Sequence, residues 1–186
     1  MKKILFVFAA FMILTGCGNT KLDNTPTKKV EEYFNKYQTL DQSVMDDLDN
    51  VLAGDTTLSD DDRDDYREFM KKHYQDLKYK IKNEKIDGDT ATVETQITVR
   101  DYTKAVNNAV GQKEDGNFTD DNGDVDTAKF SNYRLMELKK VKDTKTYTLN
   151  LTLTKQNDEW VLDQLSDEDL NKINGLYSEY ELVNKK

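Results

Sequence analysis

The side chain best suited to acid–base chemistry near neutral pH is the imidazole of His73, the single histidine in the sequence. His73 lies on the apolar stripe of a predicted helix, and a functional interpretation makes it a base or a ligand-binding group. The pattern favours another role, in which a partly buried His73 donates one hydrogen bond and packs beside Tyr66 and Leu77. No motif supplies the partner that would orient a catalytic base.

Asp101 is a second candidate base because it continues an alternating series on one face of a predicted strand, after Val93, Ile97 and Val99. A carboxylate on the inner face of a sheet could accept a proton from a bound substrate. Asp101 also falls at the end of this strand, near the rim of the sheet. The sequence therefore favours a solvated carboxylate at this position.

An acidic segment, "DDNGDVD", has the ligand spacing of the first half of a calcium loop. Its oxygen-bearing side chains occupy alternate positions, at Asp120, Asn122, Asp124 and Asp126. The match fails further along, where Val125 replaces the turn glycine and Ser131 replaces the bidentate glutamate. A solvated acidic loop is the favoured interpretation, and a calcium site is the alternative.

Cys17 is the only cysteine, and it follows a segment with the anatomy of a secretory signal peptide. Lys2 and Lys3 precede a run of apolar residues from 4 to 14, and Thr15 and Gly16 are small. Eleven residues rise only ~16 Å as a helix, short of the ~30 Å hydrocarbon core, so we do not expect this run to span a membrane. A buried free thiol is the alternative role for Cys17.

The segment "LTGC", residues 14–17, resembles the lipobox of bacterial lipoproteins. The resemblance implies that residues 1–16 are a signal peptide and that Cys17 carries a diacylglycerol on its sulfur. Residues 17–25 would then be the lipidated cysteine and a tether. Because two or more acyl chains give a stable anchor, the implied partner is membrane lipid and the implied location is the extracytoplasmic face of the cell membrane.

The charge of the chain limits its partners. Removing residues 1–16 takes away two lysines and no acidic residue, which changes the formal charge from −9 to −11. Such a chain lacks the basic surface that nucleic acid requires, so we expect no nucleic-acid partner. We expect no cofactor, because no glycine-rich phosphate loop, Cys/His metal set or Ser-His-Asp arrangement is recognisable.

Apolar periodicity predicts helices at both ends of the chain and two hairpins between them. Pro26 starts a first helix, a second ends at Gly54, and a third begins at a Ser59 and Asp62 capping box. A hairpin follows, with a turn at Asp87 and Gly88. The sequence then predicts a helix over 103–111 closed by a glycine, a polar loop over 112–124, a helix over about 125–141, a hairpin turning at 155–159, and a terminal helix from Ser166 that carries Leu170, Ile173, Tyr177 and Tyr180.

This order predicts an α+β fold over residues 26–186, a single domain in which N-terminal helices pack on an antiparallel sheet of about four strands and a helix follows at the C-terminus. The strands "DGDTATVETQITV" and "TYTLNLTLTKQNDEWVLDQL" resemble nuclear-transport-factor-2-like, or cystatin-like, domains of small Gram-positive lipoproteins. The resemblance implies a curved sheet wrapped round a long helix as a cone. Related ketosteroid isomerases use an Asp base in that cone, but no motif transfers this role to Asp101.

These patterns favour a membrane-anchored lipoprotein whose domain binds a small ligand or a protein and catalyses no reaction. A cone-cavity enzyme with acid–base chemistry is one alternative, and a calcium-dependent surface module is another. Fold resemblance cannot choose among them. A filled cone with an exposed apolar patch would favour a protein-binding module, whereas a large closed cavity with His73 or Asp101 pointing inward and a strongly perturbed pKa would favour an enzyme.

Overall fold

The computed structural model describes residues 24–55 and 58–177, and it confirms the predicted α+β class. The predicted signal peptide, Cys17, most of the predicted tether and Tyr180 lie outside these residues. The described elements follow the chain in the order α1 (Pro26–Thr39), α2 (Gln42–Gly54), α3 (Asp60–Asp76), β1 (Lys78–Asp87), β2 (Thr90–Arg100), α4 (Thr103–Glu114), α5 (Thr127–Lys140), β3 (Thr144–Gln156), β4 (Glu159–Leu162) and α6 (Asp167–Ile173).

Helices α1 and α3 begin where the sequence predicts them, because polar side chains satisfy their first backbone N–H groups. The Thr25 hydroxyl accepts a hydrogen bond from the Lys28 N–H at 3.2 Å. Ser59 and Asp62 form the predicted capping box at the start of α3. The end of α2 differs, since Gly54 is its last helical residue and the cap is Asp55 in an extended conformation.

The four strands form one open antiparallel sheet in the order β1-β2-β3-β4. One face of this sheet, the inner face, packs against α1. Its central side chains are all buried: Ala91, Val93, Thr95, Ile97 and Val99 on β2, and Tyr147, Leu149, Leu151 and Leu153 on β3. The outer face presents the alternate, polar positions, as the strict period of two predicts.

Both hairpins have two-residue turns at the same end of the sheet. The β1–β2 turn contains Gly88 and Asp89, one position later than predicted, and Gly88 adopts a φ of 60°. The β3–β4 turn contains Asn157 and Asp158, whose φ values are 51° and 65°. Positive φ at both positions matches the right-handed twist of the strands, and Asn and Asp tolerate it better than most residues.

Two clusters of buried side chains hold the elements together. The first lies between α1 and the inner face, and Val30 and Phe34 of α1 are fully buried in it. The second is formed by helices, and Leu48 of α2, Phe69 of α3 and Leu135 of α5 belong to it. Helix α1 packs on the sheet, and because its Tyr37 also belongs to the helical cluster, it links the sheet to the layer formed by α2 to α5.

The later helices differ in length from the predictions. Helix α4 continues three residues past Gly111, which adopts no positive φ and does not close it. Helix α5 begins at Thr127 because the Asp126 carboxylate caps it by accepting a hydrogen bond from the Lys129 N–H. Ser166 caps α6 as predicted, but this helix ends at Ile173. Among residues 24–55 and 58–177, no helix has the length and apolar character needed to cross a membrane.

Candidate functional site

The strongest sequence candidate, His73, is buried near the C-terminal end of α3, with 2% of its surface exposed. Its Nε2 lies 3.0 Å from the carbonyl oxygen of Ile173 at the end of α6. A carbonyl oxygen can only accept a hydrogen bond, so Nε2 carries the proton and donates it. The Tyr102 hydroxyl lies 3.3 Å from Nδ1, which is left as the acceptor.

The surroundings of His73 keep its ring neutral. Its ring centroid lies 5.9 Å from that of Tyr74 and 5.4 Å from that of Tyr102. Burial lowers the pKa of His73 to about 4, although the hydrogen bond to Ile173 acts in the opposite direction. Burial also raises the pKa of the Tyr102 hydroxyl. At neutral pH His73 therefore makes one hydrogen bond as donor and one as acceptor, and it has no lone pair available for a substrate.

The same residues fasten the end of α6 to the sheet. The Tyr102 N–H donates to the carbonyl oxygen of Gly175 at 3.0 Å. Gly175 adopts a φ of 70°, and a Cβ placed there would lie 2.0 Å from the carbonyl oxygen of Arg100. Only glycine permits so close an approach. We call the contacts among His73, Tyr102, Ile173 and Gly175 the α6 latch.

The α6 latch covers part of the inner face. Ile173, which is 2% exposed, packs in the cluster between α1 and the sheet. The ring of Tyr177 meets that of Tyr147 at 5.5 Å between centroids, nearly at right angles. The inner face is thus occupied by side chains from α1 and from the C-terminal segment.

Asp101 lies outside the α6 latch, because β2 ends at Arg100 and the predicted alternation does not reach Asp101. The next residue, Tyr102, turns inward instead. The Asp101 carboxylate accepts a hydrogen bond from the Thr103 N–H at 3.2 Å, at the start of α4. Within the described chain, no hydrogen bond joins Asp101 to His73.

The acidic loop uses its carboxylates to hold its own backbone. Asp120 accepts hydrogen bonds from the N–H groups of Asn122 and Asp124, both at 2.9 Å. The bonds from Asp124 and Asn122 lower the pKa of Asp120. Asp126 caps α5 and forms an ion pair with Lys129 at 2.9 Å. Over the described ranges, no three Asp, Glu, His or Cys side chains are grouped to hold a metal ion.

The buried tyrosines are also poor candidates for catalysis. Burial raises the pKa of Tyr33, Tyr37, Tyr66 and Tyr74, which makes each phenol a weaker acid than in water. A tyrosine that acts as a base or nucleophile needs the opposite change in pKa. These rings serve as packing groups, as their helical spacing predicts.

A small pocket opens where β4 stops short of the far end of β3. Its volume is about 130 Å³, well below the roughly 300 to 1,000 Å³ that ligand pockets usually have. It is lined mainly by polar residues: Asn150, Leu151, Thr152, Leu162, Asp163, Gln164, Leu165, Ser166 and Asp169. A pocket of this size can admit waters or one small group, but not a typical cofactor.

The sequence does not predict two features of the structure, the α6 latch and the buried hydroxyl of Thr95. Tyr102 and Ile173 lie 29 and 100 residues from His73, and no local pattern signals such contacts. Thr95 is fully buried on the inner face, and its hydroxyl has no hydrogen-bond partner among the described residues. Its inward position could be read from the alternation of β2, but its missing partner could not.

The chain was also compared with known proteins. No family model, curated protein sequence or solved structure matches it.

Proposed function

We propose that this chain is a lipoprotein anchored to the extracytoplasmic face of the cell membrane through diacylglyceryl-Cys17. The observation that carries the proposal is the segment from Leu14 to Cys17, directly after an apolar run with two lysines before it. Residues 1–16 are the signal peptide in this proposal, and residues 17–25 tether the single domain of residues 26–186. An acidic body gains little from anionic lipid, so the acyl chains must supply the attachment.

We further propose that the domain is a binding module without catalytic activity, and that its partner is a protein. The filled inner face supports this proposal, because Phe34, Ile97 and Leu149 leave less than 1% of their surface exposed. The hydrogen bonds on both ring nitrogens of His73 support it as well. A small ligand or substrate would have to displace these side chains before it could enter.

The nuclear-transport-factor-2-like resemblance belongs to the same proposal. Its support is the order of elements, with three helices, a hairpin, two helices and a second hairpin, and the packing of α1 on one face of the sheet. In this interpretation α1 is the helix enclosed by the cone and α6 is an added plug. A fold of this kind leaves the partner open, so the protein partner is inferred from the filled inner face and from the hydrogen-bonded His73 ring.

The anchor can be tested in bacterial cells that process lipoproteins, with Cys17→Ser compared with Lys21→Ser. We expect the parent chain and Lys21→Ser in the membrane fraction, extracted by detergent but not by alkaline carbonate. Mass spectrometry should find the N-terminal peptide beginning at a diacylated Cys17. Cys17→Ser should leave the membrane or retain its signal segment. An unmodified chain that begins at Met1 and remains in the cytoplasm would contradict the proposal.

The filled inner face can be tested with a neutral naphthylamine dye that fluoresces in apolar cavities. A neutral dye is required because the acidic protein would repel the usual anionic probes. We expect the folded protein at pH 7 to bind no dye, since side chains of α1 and of the C-terminal segment occupy the inner face. Saturable binding of one dye per chain would favour the small-ligand alternative over a protein partner.

A further inference from the structure

We propose that the turn end of the sheet, where residues 87–90 and 156–159 form the two hairpin turns, faces the lipid bilayer. The opposite end, which carries the α6 latch, then faces away from the membrane. This inference rests on the proposed anchor at Cys17 and adds the orientation of the domain to it. The evidence is a set of hydrogen bonds that hold Asn24, the residue to which the tether leads, at this end of the sheet.

Asn24, the first described residue, is held on the β3–β4 turn by two hydrogen bonds. Its side-chain amide donates to the carbonyl oxygen of Asp158 at 2.7 Å. Its side-chain oxygen accepts from the Trp160 N–H at 2.9 Å. Because the two bonds engage both ends of one amide group, they hold Asn24 on the β3–β4 turn.

Two more bonds secure the same end of the sheet. The Thr27 N–H at the start of α1 donates to the Glu84 carboxylate at 2.8 Å, near the β1–β2 turn. The Lys155 N–H donates to the carbonyl oxygen of Asp89 at 2.8 Å and joins the two hairpins. A tether that leads to Asn24 must therefore reach the domain at the turn end.

The length of the tether limits how the domain can sit. Seven residue steps separate Cys17 from Asn24, so an extended tether spans at most ~25 Å. Strand β3 runs twelve steps from Thr144 to Gln156, or ~40 Å. The sheet is longer than the tether, so the turn end cannot lie on the far side of the domain from the headgroups. The domain therefore either stands on its turn end or lies flat on the bilayer.

Charge decides between the upright and the flat arrangement. The flat arrangement would use β1, the edge strand, whose exposed lysines could attract anionic lipid: Lys78, Lys80, Lys82 and Lys85. The mature chain carries a formal charge of −11, however, and broad contact brings its acidic surface to the same headgroups. The turn end itself exposes Asp87, Asp89, Asp158 and Glu159, which favours a domain that stands off the surface.

Energy transfer to the membrane tests this orientation on the full lipidated chain in vesicles containing anionic lipid. Gln156→Cys and Thr144→Cys place a donor dye at the two ends of β3, on the same exposed face. A lipid-linked acceptor in the outer leaflet reports each distance, and Cys17 takes no dye because its sulfur already carries the diacylglyceryl group as a thioether. We expect transfer at least about threefold more efficient from position 156, given a separation of ~40 Å.

A longer tether supplies the control. Inserting fifteen Gly and Ser residues between Thr20 and Lys21 raises the maximal reach to ~75 Å, so the difference between the two positions should become smaller. Equal transfer from both positions without the insertion would show a domain lying flat and would overturn the orientation. A difference that the insertion leaves unchanged would also overturn it. Mass spectrometry of the same sample separates these results from failure of the anchor, which a Cys17 without acyl chains would reveal.

Discussion

The burial of His73 predicts that the protein loses stability between pH 6.5 and pH 4 through this one residue. The pKa of a histidine in an unfolded chain is about 6.5, whereas burial lowers the pKa of His73 in the folded protein to about 4. Between pH 6.5 and pH 4, His73 is therefore protonated in the unfolded chain but neutral in the folded protein. Because the unfolded state binds more protons, the free energy of unfolding falls as the pH falls.

The magnitude follows from the two pKa values. Between pH 6.5 and pH 4 the loss approaches ~1.4 kcal/mol per pH unit, and from pH 7 to pH 5 it amounts to about 2 kcal/mol. Above pH 6.5 the histidine is neutral in both states and contributes no pH dependence. Asp76 raises and Arg100 lowers the pKa of His73, but both effects are smaller than that of burial.

The perturbation that isolates this effect is His73→Gln. The glutamine amide offers one donor for the Ile173 carbonyl and one acceptor for the Tyr102 hydroxyl, and it does not titrate. Urea unfolding of both proteins at several pH values gives the free energy of unfolding for each. We expect the parent protein to lose about 2 kcal/mol more than the variant between pH 7 and pH 5.

Parallel curves for the two proteins would refute the reasoning, whatever the constant difference between them. The carboxylates titrate in both proteins and cancel in the comparison. The single histidine also gives a direct check, because its ring nitrogens can be observed without overlap by ¹⁵N NMR. We expect a neutral ring protonated on Nε2 at pH 6, and a charged ring at that pH would contradict the assignment of the hydrogen bonds.

Three further predictions concern separate features. Gly175→Ala should reduce the free energy of unfolding by at least about 2 kcal/mol, because the added Cβ would clash with the Arg100 carbonyl oxygen. Gly123→Ala, where φ is positive but the space is open, should reduce it by about 1 kcal/mol. Similar losses for the two variants in urea unfolding would contradict this prediction. Thr95→Val should stabilise the protein by about 1 kcal/mol in the same assay by removing a buried hydroxyl without a partner, and Thr98→Val, on the outer face, should bring no such gain. Adding millimolar Ca²⁺ should change the melting temperature by no more than about 1 °C, since the Asp120 carboxylate already accepts hydrogen bonds from backbone N–H groups. A rise of several degrees would support a calcium site in this loop.

The sequence predicts those parts of the fold that depend on local patterns. Caps such as Ser59 with Asp62 act over three residues, and the alternation of β2 reports directly which side chains face inward. Glycine was a poorer guide, because a glycine marks a helix end only when the backbone adopts positive φ. Gly54 and Gly111 do not adopt it, whereas Leu40 ends α1 with a φ of 54°.

The candidate site was harder to predict because its contacts are distant along the chain. The apolar stripe of α3 correctly places His73 inside, but it cannot show that a carbonyl group 100 residues away accepts its hydrogen bond. The inward position predicted for Asp101 depended on the strand continuing for one more residue. Because β2 ends at Arg100, Tyr102 is the buried residue, and the Asp101 carboxylate accepts a hydrogen bond from the Thr103 N–H. Ending the strand one residue earlier therefore places a phenol, and not a carboxylate, in the interior at the rim of the sheet.

The edges of the sheet limit how a protein partner can bind. An exposed edge strand can pair with another chain, and β1 offers ten residues of such an edge. Four exposed lysines and a bulge between Ile81 and Asn83 interrupt it, which are both known obstacles to strand pairing. Under the proposed anchor, neighbouring chains meet at high local concentration, and pairing of two β1 strands would bring eight lysines together. The lysines therefore oppose pairing through β1, and the proposed protein partner is expected to bind by side-chain contacts rather than by adding a strand to β1.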